Sequence, residues 1–117
     1  MTTKTVLSEK ELPTEKPNQE RILRNVSFER GFHFSTEKEV YTGITAVSLH
    51  EFALKLETID ANSILFHYPR SDFQKWIRNI LGDEELANRI CLIQTNSGEN
   101  LRKQLLKIVQ KRISELK

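Results

Sequence analysis

The residues best placed to do chemistry fall in one short stretch, His67-Tyr68-Pro69-Arg70-Ser71-Asp72, followed closely by Lys75 and Trp76. An imidazole, a phenol, a guanidinium, a carboxylate and an indole are gathered there around a turn. Two chemistries suit the set. In one, His67, Arg70 and Trp76 line a shallow site for an anion or a sugar, with Arg70 gripping the charge and an aromatic face stacking on the ligand. In the other, the same residues hold the fold: Asp72 caps a helix, His67 donates to a backbone carbonyl, Arg70 pairs at the surface and Trp76 anchors the core. His67, Arg70, Asp72 and Trp76 are the candidate binding residues. An enzyme using His67 and Asp72 would need a concave pocket joining the two, and no catalytic set is assigned.

Other reactive residues are sparse. The histidines His33, His50 and His67 never pair at helical ligand spacing, and His50 has only Glu51 beside it, so no metal site is expected. Cys91 is the only cysteine, which excludes an intramolecular disulfide and a multi-cysteine zinc site and fits a reducing cytoplasm. Flanked by Ile90 and Leu92, it reads as a buried, inert thiol on the apolar side of a helix. No cofactor is implied. The amino-terminal residues lack an apolar targeting core, and no stretch approaches the roughly 18 apolar residues of a membrane span.

Charge sharpens the picture. Lys and Arg total 18 against 16 Asp and Glu in 117 residues, a net of +2, which is too little for the chain as a whole to track phosphates. The surplus is local, however. From Ser97 to Lys117 six basic residues face two acidic ones, leaving +4 there and −2 in the remainder. Arg102, Lys103, Lys107, Lys111 and Arg112 give that segment a basic surface suited to nucleic acid, an acidic partner or another helix, or merely to solvent. A helix-turn-helix is superficially suggested around Gly82, but its second helix would open on Asp83-Glu84-Glu85, where phosphate is repelled.

These groups must be positioned by a modest set of elements. Residues 1–18 hold Pro13, Pro17, mixed charge and few aliphatics, and read as a mobile arm that cannot offset its ordering entropy. Phe32-His33-Phe34 and Ile44-Thr45-Ala46-Val47 alternate as strands of a short hairpin, Phe32 and Phe34 sharing a face. Ser48-Leu49-His50-Glu51 has capping-box spacing and starts a helix with the apolar stripe Leu49, Phe52, Ala53, Leu56 and Ile59, ended by Asp60 to Ser63. Ile64 to Tyr68 is too short for periodicity to decide. Asp72 is expected to cap a helix over Phe73 to Leu81, stopped by Gly82, and a further helix starts at Asp83. The last helix runs from about Asn100 to Leu116; Leu106, Val109, Ile113 and Leu116 have coiled-coil spacing, and Leu101, Leu105 and Ile108 form a second stripe. The pattern is compatible with a homodimer through this helix, but a seam of barely two heptads does not specify one.

Three blocks resemble a prokaryotic family of domains of unknown function: Phe32-His33-Phe34 with Thr42-Gly43; Ala46 to Phe52; and Ser63 to His67 leading to Asp72-Phe73-Gln74-Lys75-Trp76-Ile77 and Leu81-Gly82-Asp83. The resemblance covers about Phe32 to Ile90. The family pattern has Gly where this chain has Ser71, which questions any special turn geometry there. His67, Arg70, Asp72 and Trp76 match the pattern, whereas at His33 it asks only for an aromatic or similar residue. Similar domains occur alone and attached to larger proteins, some carbohydrate-active, which implies an accessory or regulatory module and adds no cofactor. The expectation is a mainly α fold with a small amino-terminal β-hairpin (α+β), four to five helices in one domain over residues 19–117. Its expected role is non-enzymatic binding of another protein or of itself in the cytoplasm, with DNA or RNA binding through the last helix as the alternative.

Overall fold

A computed structural model describes residues 18–95 and 97–117; the arm read over residues 1–18 lies outside the described residues except for Asn18. The order is α1 (Gln19–Leu23), β1 (Phe32–Thr36), β2 (Val40–Ala46), α2 (Leu49–Thr58), α3 (Ala61–His67), α4 (Asp72–Trp76), α5 (Glu84–Ile90) and α6 (Gly98–Leu116). This is the mainly helical α+β domain with an antiparallel hairpin that the sequence predicts. The helix count rises to six because α1, capped by Asn18 and anchored through the buried Ile22, carries too few apolar positions to show a period.

The hairpin pairs Phe32 with Ala46, His33 with Thr45 and Phe34 with Ile44, and then slips, so that Ser35 faces Tyr41. The irregularity absorbs Thr42 and Gly43. Gly43 has a φ of 87°, and the Thr42 hydroxyl donates to the Phe34 carbonyl at 2.7 Å, replacing a lost ladder bond. Phe32 and Phe34 point inward, where they pack on Phe52 of α2 and Phe73 of α4 at ring separations of 5.1–6.5 Å. Aromatic contact of this kind, stacked, tilted and edge-on, is what lets a two-stranded sheet, marginal alone, become a wall of the core.

Several local expectations change. In α2 the Ser48 hydroxyl accepts from the Glu51 N–H as foreseen, but Glu51 reaches back to the N–H of Val47, one residue beyond the usual box. The break after α2 is only Ile59-Asp60, because the Asp60 carboxylate immediately caps α3 at Asn62. Ser71, not Asp72, is the residue before α4, and it sits in the left-handed region at φ 61°. The special turn geometry is therefore present despite the missing glycine. After Trp76 the helix widens into a π turn over Ile77–Leu81, whose Ile77 carbonyl takes the N–H groups of both Gly82 and Asp83. Gly82 has a φ of 86°, and a Cβ there would lie 2.6 Å from the Arg21 guanidinium.

The long α6 lies along α2, α3 and α5. Leu101, Leu105, Val109, Ile113 and Leu116 are all buried in the domain's own core. The coiled-coil seam of the sequence is thus a correction: Val109, Ile113 and Leu116 face inward, and of its members only Leu106 stays partly exposed.

Candidate functional site

His67, Arg70 and Asp72 do come together, as a closed knot. His67 is buried among Phe32, Phe34 and Phe73, its ring 4.8 Å from that of Phe32. Its Nε2 accepts the Ser35 backbone N–H at 2.8 Å, so Nδ1 carries the proton and donates it to Asp72 at 2.9 Å. The expected donation to a carbonyl is replaced by an acceptance from an amide. Arg70 Nε donates to the same Asp72 oxygen at 2.9 Å, and its guanidinium lies over the Phe66 ring at 4.6 Å. Beside the knot the Ser63 hydroxyl donates to the Ser35 carbonyl at 2.6 Å, so both backbone groups of Ser35 are held by α3 side chains. Asp72 does not cap α4, because its carboxylate is taken by His67 and Arg70.

Electrostatics fit this role. Burial holds the His67 imidazole below its usual range, overcoming the opposing pull of Asp72. Burial would raise Asp72, but the hydrogen bonds from His67 and Arg70 outweigh it and keep the carboxyl low. Both ring nitrogens of His67 are occupied, and the residue is only 5% exposed. Trp76 is only 6% exposed, and its indole N–H donates to the Arg30 carbonyl at 2.8 Å, so it offers no ring face to a ligand. Only Arg70 remains half-exposed, with Phe66, at a small dent in the surface.

The five basic residues of α6 divide. Arg102 donates to the Leu56 and Ile59 carbonyls at 2.6 Å, satisfying the carboxy-terminal end of α2, and pairs with Glu99. Arg112 is buried and forms a two-pronged pair with Asp83 at 2.8 and 3.0 Å. Asp83, 2% exposed, also caps α5 by accepting from the Leu86 N–H. Arg112 continues to Glu115, which Arg89 grips with both terminal nitrogens, and these hydrogen bonds hold the Glu115 carboxyl low. Lys103, Lys107 and Lys111 alone stand exposed on one line of the helix.

Sequence reading missed the surface next to that line. A groove of about 600 Å³ runs between the end of α5 and the outer face of α6. Leu92, Ile93 and Ile108 line it, and Arg89, Lys107 and Lys111 rim it. Leu92 is 79% exposed, the most exposed large apolar side chain among the described residues. A signal was available: Ile90 and Ile93 are spaced to point inward together, which turns Leu92 outward, and Ile108 lies off the Leu101-Leu105-Val109 row. Cys91 is corrected by the same geometry, since α5 ends at Ile90 and leaves the residue exposed rather than buried. Its sulfur lies 3.8 Å from the Gln74 amide nitrogen, while the buried Gln74 Oε1 has no partner among the described residues. Among the described residues no cluster of three metal-ligating side chains forms, and no helix is long and apolar enough to cross a membrane.

Residues 68–117 match a family of unknown function, DUF5752. The match begins at Tyr68, takes in Arg70, Asp72 and Trp76, and contains every residue lining the groove. The expected kinship with a family of unknown function is met over that stretch; the hairpin, α2 and His67 lie outside it. No curated protein and no solved structure matches the chain.

Proposed function

We propose that the protein is a non-enzymatic interaction module of the cytoplasm that holds a partner protein in the groove between α5 and α6. The observation that carries this reading is the strongly exposed Leu92 set beside the half-buried Ile108 in a groove flanked by Arg89, Lys107 and Lys111. An isolated surface leucine needs no explanation, but Leu92 beside Ile108 in one concavity offers a partner an apolar contact. The matched family segment includes the whole groove, which supports treating this half as the working part. The His67–Asp72–Arg70 knot then serves as the clasp that holds the hairpin and α3 against α4, the first helix of the matched segment.

Nucleic-acid binding remains the second reading, favoured by the Lys103-Lys107-Lys111 line. Three phosphate contacts would give a slope of roughly −3 in log affinity against log salt on duplex DNA, and less on a single strand. A mobility-shift titration with DNA and RNA at two salt concentrations separates the readings. The module reading expects no shifted band at physiological salt; a band that weakens steeply with salt and is lost in Lys103, Lys107 and Lys111 variants contradicts it.

A further inference from the structure

We infer that the occupant of the α5–α6 groove is an acidic amphipathic helix of a partner protein, an inference that rests on the groove being the binding surface. Length is the first argument. The α6 positions that line the groove, from Gln104 through Ile108 to Glu115, form one stripe of the helix, roughly 16 Å at 1.5 Å per residue, which accommodates about three turns of a second helix. An extended peptide would gain little here, because no strand edge borders the groove; helix-in-groove packing uses apolar anchors three or four residues apart.

Charge selects among helices. Lys107 and Lys111 have no carboxylate partner among the described residues, and neither has Lys103 one turn earlier. The one anion on the rim, Glu115, is already shared between Arg89 and Arg112. A helix entering the groove therefore meets apolar surface flanked by uncompensated positive charge. Carboxylates flanking its apolar face pair with those lysines, whereas lysines there would be repelled. A second copy of this chain laid along the same groove would set Lys107 and Lys111 of both molecules on one interface. Nucleic acid would meet the lysines but leave Leu92 and Ile108 against phosphate and sugar.

The test uses the intact chain and three synthetic labelled helices that share one leucine face and differ only in flanking residues: glutamate, glutamine or lysine. Fluorescence anisotropy at low salt should rank glutamate about tenfold tighter than glutamine and both tighter than lysine, an advantage that shrinks in high salt. Lys107→Glu with Lys111→Glu should invert the order, a result that loss of folding cannot produce, and Leu92→Asp should abolish binding of all three. Equal affinity for the glutamate and glutamine helices overturns the acidic occupant but leaves the groove reading intact. Binding that ignores Leu92→Asp and Ile108→Asp, or no binding at all, overturns both. A doubled mass in light scattering that Leu92→Asp returns to monomer replaces the acidic partner with a second copy. A single-stranded RNA that outcompetes the glutamate helix replaces it with nucleic acid.

Discussion

His67 is the residue whose chemistry the fold most constrains. Its Nε2 accepts an N–H from Ser35, and protonating that nitrogen would set two donors face to face, so the folded state keeps the ring neutral. Because the folded value lies below the ordinary one of 6.5, the unfolded chain takes up the proton first as the medium acidifies. The stabilising contribution is complete above that pH and is lost below it, at up to about 1.4 kcal/mol per pH unit. Asp72, also held low, adds a loss of the same sign below its ordinary 3.8. Urea unfolding from pH 7 to pH 5 should therefore show wild-type stability falling more steeply than that of His67→Gln, which does not titrate there; parallel profiles would show that His67 is not held neutral. In sequence these residues were found, but not their roles. The turn chemistry of His67 to Asp72 was legible from residue type, whereas the Ser35 amide that decides the tautomer lies far away in the chain and no local pattern points to it. Ser71 is a milder case: its left-handed backbone is recognisable only through the glycine of the resembled pattern.

At the scale of elements, α6 carries the largest difference between sequence and structure. Its basic face was read as five equivalent cations, yet Arg102 and Arg112 work inside the domain, one closing the end of α2 and the other joining α6 to the start of α5. Charge alone could not separate them. What distinguishes Arg112 is its place beside Val109 and Ile113 on the buried stripe, opposite an aspartate twenty-nine residues away. Such a pair adds little over an apolar substitute, but breaking it strands a charge. Arg112→Met should cost about 3–5 kcal/mol in urea denaturation, and Arg112→Met with Asp83→Asn should recover part of that loss while retaining the α5 cap. Additive losses in the double variant would contradict the pairing. The caps at Ser48, Asp60, Asp83 and Ser97 each accept from a backbone N–H in the first turn of their helices. Only Ser48 was legible as a cap, through its capping-box spacing; Asp60 and Ser97 were placed in breaks, Asp83 only marked a helix start, and Asp72, read as a cap, is not one. The π turn after Trp76 was not legible, since its apolar spacing still fits an ordinary helix.

For the whole molecule, the apolar stripes sort themselves into a core and a remainder. The core takes the rows predicted for α2, α4 and α6; of the apolar side chains left exposed, Phe28, Val40, Leu54 and Leu65 are scattered, whereas Leu92 lies with the half-buried Ile108 beside the lysine line. The self-association seam read from α6 dissolves in this sorting, because most of it faces inward; the surface that replaces it is shorter, partly apolar and positively rimmed. That surface lies wholly within the family-matching half, while the hairpin and α2 outside the match supply the wall on which that half packs. The most direct measurement places a photoreactive amino acid at position 92, at 108, or at the exposed Glu57 of α2 as a control, and irradiates the intact protein in an extract of its native cells. Crosslinks from positions 92 and 108 to the same protease-sensitive, nuclease-resistant species, absent from position 57, are the expected result. Crosslinks that are equal from all three positions, or that vanish on nuclease treatment, would contradict the groove as a protein-binding surface.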